Sequence, residues 1–306
     1  MISSTVGPIL TNRLQIGLGT VQFGLPYGIA NRGIRPAISE VREILDYAAE
    51  EGVTILDTAA VYGDAERIIG GIIRPEHKFK IVTKSPAFGC QHISNDHANI
   101  LENSLNTSLK YMRLEMLYGL LIHSGDDLLT EGGERLIERA MRLKELGKVA
   151  KVGVSVYEPL QTEKILDRYR IDLIQLPLNV LDQRFFSSGI LSQLKDSSIE
   201  VHARSAFLQG ALLMSPDQLP PHFECVMGTL LNYRNTLIRL GITPMQAAID
   251  FIKRQPSVHA IVVGVCSVKQ LKDILDAYRL PKTDIKGFEP FAVHKLSVID
   301  PRKWPQ

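Results

Sequence analysis

The sequence predicts a (β/α)8 TIM barrel with an N-terminal β-hairpin and a C-terminal tail, and three observations carry that expectation. Eight short apolar runs begin near Ile16, Thr54, Lys80, Met116, Val149, Leu173, Glu200 and His259, each followed by apolar residues at helical spacing. The runs are continuous rather than alternating, so both faces of each strand should be buried, as in parallel sheets. Several runs end on a reactive side chain, namely Asp57, Lys84, His123 and Ser155. In such barrels the C-terminal strand ends converge on one face, where chemistry sits.

Taken in order, Pro8-Ile9-Leu10 and Leu14-Gln15-Ile16 flank a polar Thr11-Asn12-Arg13 turn and read as the hairpin. The first barrel strand covers Ile16 to Thr20, and a long glycine-rich loop with Phe23 and Tyr27 follows to Ala37. Ser39 suits an N-cap, Glu40 suits the positive end of a helix dipole, and Val41, Ile44, Leu45 and Ala48 share a helix face. Further helices are expected from Ala65 to about Gly70, from near Ser94 or Asp96 through Met112, and around Leu136, Ala140 and Leu143 with Gly147 as C-cap. Later ones should cover Pro159 to Arg168, Ser187 to Lys195, two segments within Glu224 to Arg254, and Val268 to Ala277. Between those two segments Thr243 can cap and Pro244 can take the first helical position.

No linker or low-complexity tract divides the chain, and barrels routinely exceed 250 residues as one unit, so residues 1–306 are expected to form one domain. A net charge of +2 gives no electrostatic case for nucleic acid or a membrane surface. Cys90, Cys225 and Cys266 are odd in number and widely spaced, which fits a reducing cytoplasm. The first twenty residues lack a signal-peptide pattern, and no apolar run is long enough for a membrane span. A small-molecule partner is expected; the sequence leaves the oligomeric state open.

The four side chains Asp57, Tyr62, Lys84 and His123 would meet over the barrel mouth. A free tyrosine has a pKa of about 10, and a neighbouring ammonium favours the phenolate. Lys84 can be that ammonium, Asp57 can hold it charged, and a neutral His123 can hydrogen-bond a carbonyl oxygen. The set suits protonation of an oxygen as hydride reaches the attached carbon. No His-x-His or carboxylate cluster completes a metal site, so no metal is expected.

Several motifs run in one order along the chain: Gly17-Leu18-Gly19-Thr20, Leu56-Asp57-Thr58-Ala59-Ala60-Val61-Tyr62-Gly63, Lys84, Leu121-Ile122-His123-Ser124, Gly147-Lys148 through Gly153-Val154-Ser155, Ile174-Gln175-Leu176 and Phe207-Leu208-Gln209-Gly210. In these the chain resembles the aldo-keto reductases. The resemblance implies carbonyl reduction with NADP(H), NAD(H) being the alternative cofactor. It implies Tyr62 as proton donor, Lys84 and Asp57 as its tuning pair, and His123 as the carbonyl-orienting group. Ser155 and Gln175 match the positions that hold the nicotinamide carboxamide, with Gly19 and Thr20 at the first strand end. Phe207, Leu208 and Gly210 match the pyrophosphate loop, with Ser205 a further cofactor-binding candidate before it, and Gly264, Ser267, Lys269, Gln270 and Asp273 match the adenosine phosphate end.

The chain departs from the family pattern at four positions. Val156 stands where many members have asparagine, and Arg204 where an aromatic often stacks on the nicotinamide. Gly264 and Gln270 occupy the places of a common lysine and arginine, leaving Ser267 and Lys269 as polar candidates for the 2′-phosphate. A sugar-like aldehyde or ketone is the expected substrate, from the polar, aromatic loop Phe23 to Arg35 and from Asn179, Asp182 and Arg184. The alternative use of the same barrel is a nicotinamide-binding sensor or regulatory subunit with little turnover.

Overall fold

A computed structural model describes residues 14–31 and 33–305; the expected hairpin falls largely on residues outside this range. Eight strands follow one another around a closed, all-parallel barrel: β1 (Gln15–Gly19), β2 (Ile55–Asp57), β3 (Lys80–Lys84), β4 (Leu117–Ile122), β5 (Val149–Ser155), β6 (Leu173–Pro177), β7 (Glu200–Arg204) and β8 (Ala260–Gly264). Closure comes from β8 beside β1, with Gly19 opposite Gly264, while Gly19 also lies opposite Asp57 of β2. The expected TIM barrel is therefore present.

Alternate residues along the strands serve different cores. Ile81, Leu120 and Ile174 belong to the large shell between strands and helices, whereas Val82, Leu121 and Leu173 form a separate cluster inside the barrel. Side chains on a strand alternate between faces, so two apolar faces produce the unbroken apolar runs of the sequence. Glycine is required where the interior is tightest: a Cβ on Gly153 would lie 1.8 Å from the Leu173 carbonyl oxygen. Below this layer the floor is polar. Glu200 Oε2 accepts from Tyr118 Oη at 2.7 Å and from Lys151, and Glu200 Oε1 lies 2.7 Å from His202 Nε2.

The helices mostly follow the periodicity, with informative differences at their ends. The first long one spans Ile38–Glu50 and starts after an extended Ala37, so Ser39 lies inside its first turn and does not cap it. Glu40 instead reaches the N-terminus of Val268–Arg279, where its Oε1 accepts from Val268 N at 2.9 Å. Thr243 caps Pro244–Lys253 as expected, accepting from Gln246 N at 3.1 Å. The helix expected over Ser187 to Lys195 is two pieces, Arg184–Ser187 and Ile190–Asp196, because Gly189 between them takes φ 79°. The C-terminal tail packs on the barrel: Phe288, Phe291, Val298 and Ile299 are buried, and Trp304 Nε1 donates to the Val298 carbonyl at 2.9 Å. Among the described residues no helix is long and apolar enough to cross a membrane.

Candidate active site

Three strand ends and the turn after β2 bring Asp57, Lys84, His123 and Tyr62 together in one cleft of about 270 Å³ at the C-terminal mouth. Asp57 and Lys84 end β2 and β3, and His123 directly follows β4. Two donations from Thr20 fix the Asp57 backbone: its N and its Oγ1 reach the Asp57 carbonyl at 2.9 and 3.0 Å. The Tyr62 backbone packs directly against Gly24, where a Cβ would lie 1.7 Å from the Tyr62 carbonyl oxygen.

Asp57 and Lys84 form a buried ion pair. Lys84 Nζ lies 2.7 and 2.8 Å from the two carboxylate oxygens and donates to the Thr58 carbonyl at 3.0 Å. Burial works against the ammonium, but the Asp57 carboxylate beside it prevails and its pKa is raised. Lys84 Nζ also sits 5.1 Å from the centre of the Tyr62 ring. The expected net lowering of the Tyr62 pKa is absent: burial, the largest influence, exceeds the opposing ammonium, and the phenol is raised. Tyr62 thus keeps its proton at neutral pH. The His123 ring stands edge-on to Tyr62 at 6.3 Å. Burial and then the Lys84 cation pull its pKa from 6.5 to about 4, so the ring is neutral at physiological pH. Its Nδ1 is buried without a partner among the described residues.

The cleft runs on past this group. Gly19, Thr20, Ser155, Gln175, Arg204 and Ser205 line it near the tetrad, and Phe207, Gly210, Gly264, Gln270 and Asp273 line its extension. Leu208, Ser267 and Lys269 do not line it. Leu208 is buried in the core, Ser267 Oγ caps the last long helix by accepting from Gln270 N at 3.2 Å, and exposed Lys269 pairs with Asp273 at 2.8 Å. Asn179, Asp182 and Arg184 are likewise engaged locally: Asn179 Oδ1 accepts from the amides of Leu181 and Asp182, and Asp182 holds Arg184 at 2.8 Å.

Sequence reasoning passed over three cleft features. Gln22 packs its amide against Gly264, where a Cβ would lie 2.3 Å from Gln22 Nε2, and Gln22 Oε1 is buried without a partner among the described residues. Tyr27, which the sequence marks only as part of its loop, lines the cleft and remains 40% exposed. Tyr157 lies between two guanidinium groups, Arg204 at 4.0 Å and Arg302 of the tail at 3.3 Å from its ring centre. Arg204 also donates to the Val156 carbonyl at 3.1 Å. Tyr157 could have been found as the next residue but one after Ser155; Arg302 gave no local signal.

A parallel barrel with an acid, an ammonium, a phenol and an imidazole at its C-terminal mouth defines a class, the (β/α)8 enzymes that act on small molecules held over their strand ends. Within that class, the model of the Aldo/keto reductase family matches residues 15–291, and the chain belongs to that family of oxidoreductases. Uncharacterized oxidoreductase YqkF of Bacillus subtilis (strain 168) is 23% identical over 294 residues, covering 90% of this chain and 91% of its own. L-glyceraldehyde 3-phosphate reductase of Escherichia coli O157:H7 is 24% identical over 285 residues, covering 81% of each. The holo form of an aldo-keto reductase from Bacillus halodurans shares the fold with a TM-score of 0.72 at 18% identity, over 90% of both chains. The glycerol dehydrogenase of Gluconobacter oxydans does so with 0.71 at 22% identity, over 95% of this chain and 93% of its own.

Proposed function

We propose that the chain, acting as one unit over residues 1–306 in the cytoplasm, is a reductase that uses NADP(H), with NAD(H) as the alternative, on a small carbonyl compound of sugar-like character. The observation that carries this reading is the buried Asp57–Lys84 pair beside a protonated Tyr62 and a neutral His123, at the head of a cleft that extends to Gly264 and Asp273.

The residues present fit a dinucleotide. Gln22 Oε1 is an orphaned buried acceptor in the cleft wall, and the loop after β7 holds Ser205, Leu208, Gln209 and Gly210 all at positive φ. Three of those four are not glycine, and such backbone persists where a surrounding site over-determines it. Gly210 cannot carry a side chain, because a Cβ would lie 2.4 Å from that of Ala30. Ser155 and Gln175 would hold the nicotinamide, Ser205 to Gly210 the pyrophosphate, and Gln270 with Asp273 the adenosine end. When bound, the reduced nicotinamide supplies a hydride.

The protein's part is the proton. His123 in its neutral form donates a hydrogen bond to the carbonyl oxygen and aims it without competing for the proton that Tyr62 carries. Tyr62 gives that proton to the oxygen as negative charge develops there. Lys84 then stabilises the phenolate left behind, and Asp57 keeps Lys84 charged throughout. Tyr27, Tyr157 and Arg204 wall the opening with aromatic and polar surface, which suits a hydroxylated substrate.

Substituting Tyr62→Phe should lower kcat by roughly 10²-fold or more, the scale of general acid catalysis, with cofactor affinity within about twofold of the parent by calorimetry. A variant that turns over sugar aldehydes or ketosugars at nearly the parent rate would overturn the role of Tyr62. Far better kcat/KM for simple aromatic aldehydes than for any sugar carbonyl would overturn the substrate class.

A further inference from the structure

A second cavity, of about 540 Å³, lies away from the barrel mouth, between the C-terminal ends of helices Ala65–Ile72 and Asn95–Met112 and the start of β3. Its floor is apolar, with Ile73, Phe79, Met112 and Leu114. Its rim carries Arg42, Arg74, Lys78 and Arg113, and no carboxylate lines it. Arg74 is paired with Asp46 at 3.2 Å, whereas Arg42, Lys78 and Arg113 have no carboxylate at salt-bridge distance among the described residues.

The backbone around this cavity inverts the usual placement of glycine. Lys78 and Arg113 both stand at helix C-caps in the left-handed region, φ 53° and 58°, where glycine is favoured. Gly71 sits in a helix at ordinary φ, and a Cβ there would meet nothing within 4 Å. Helices disfavour glycine, and packing does not require it at this position. Its neighbour Gly70 is different, since a Cβ there would lie 2.0 Å from the Tyr111 carbonyl oxygen. A favourable helix dipole accounts for a cation at the Arg113 cap, but not for an empty Gly71 beside it.

We propose that this cavity is a binding site for a small oxyanion with an apolar body, an aryl or alkyl phosphate being the type. Arg42, Lys78 and Arg113 hold the anionic head, guanidinium groups being suited to bidentate recognition of phosphate or carboxylate. Phe79, Met112 and Leu114 take the apolar body, and the missing side chain at Gly71 keeps the entrance open. The thirteen residues preceding Leu14 contain no Asp or Glu, so their chemistry does not match the rim.

Phenyl phosphate is the probe, titrated calorimetrically into the full-length protein and into Gly71→Leu and Arg113→Gly. Both substitutions suit their local backbone, so both variants should melt at or above the parent temperature. Saturable binding to the parent, at least tenfold weaker in each variant, is the expected result. Absence of saturable binding, or equal binding in parent and both variants, overturns the site and places any interaction elsewhere. Inorganic phosphate binding as tightly as phenyl phosphate overturns the role of the apolar floor. None of these readouts depends on turnover.

Discussion

Gln175 in the middle of β6 donates its Nε2 to Asp57 Oδ1 at 2.7 Å, the same oxygen that accepts from Lys84 Nζ at 2.7 Å. One carboxylate oxygen thus links β2, β3 and β6, and the residue expected to hold the cofactor is tied to the pair expected to tune the acid. Gln175→Leu removes a hydrogen bond to a charged group, worth about 1.5–3 kcal/mol. Cofactor binding should weaken about tenfold and kcat should fall as Asp57 loosens. Calorimetry and steady-state kinetics on the same variant separate the two effects, and an unchanged Kd would remove Gln175 from the cofactor site.

Lys84→Met leaves the Asp57 carboxylate buried without its cation. Breaking a buried pair from one side costs about 3–5 kcal/mol, and urea unfolding should register a loss of that order. Adding Asp57→Leu removes the stranded charge and should recover much of the stability while activity stays abolished. A double variant as unstable as the single one would mean that the pair contributes through packing rather than charge.

The neutral His123 makes stability depend on pH over a defined window. Its folded pKa of about 4 lies below the ordinary 6.5, so as pH falls the unfolded chain takes up the proton first. Its contribution is complete above about pH 6.5, declines below that, and is lost below about 4. Urea unfolding of the parent and His123→Leu between pH 4 and 7.5 should therefore show a steeper acid-side decline in the parent. Equal slopes would exclude a ring held neutral by its surroundings.

Three of the four tetrad members were legible because the strand before each announces its end: Ile55-Leu56 before Asp57, Ile81-Val82-Thr83 before Lys84, and Leu117 to Ile122 before His123. A continuous apolar run closed by a titratable residue is a local signal, and the barrel turns it into proximity. What depends on distant packing was not legible. Arg302 reaches Tyr157 from the tail, Gln22 lies against Gly264, and Glu40 serves a helix that begins at Val268. The direction of the Tyr62 pKa also escaped, because the nearby ammonium can be read from a motif whereas the depth of burial cannot. The break at Gly189 was missed for a simpler reason: the helical spacing of the flanking residues continues across it.

In the proposed reading, cofactor preference depends on how the last loop uses its side chains. Gln270 Oε1 accepts from Cys266 N at 2.7 Å, so the glutamine closes the turn before the last long helix. Ser267 caps that helix, Lys269 is paired with Asp273, and Gly264 has the Gln22 amide against it. None of these groups is a free cation aimed at a 2′-phosphate. Gln270→Arg would supply a guanidinium on the cleft wall at the cost of the Cys266 contact, and Arg recognises phosphate in bidentate fashion. The variant should bind NADPH about tenfold more tightly, equivalent to about 1.4 kcal/mol, with NADH affinity nearly unchanged. Parallel titrations of parent and variant with both cofactors decide the point. A gain shared equally by NADH would assign the new guanidinium to the pyrophosphate, and the 2′-phosphate would then have to be met by residues other than those of the Gly264 to Asp273 segment.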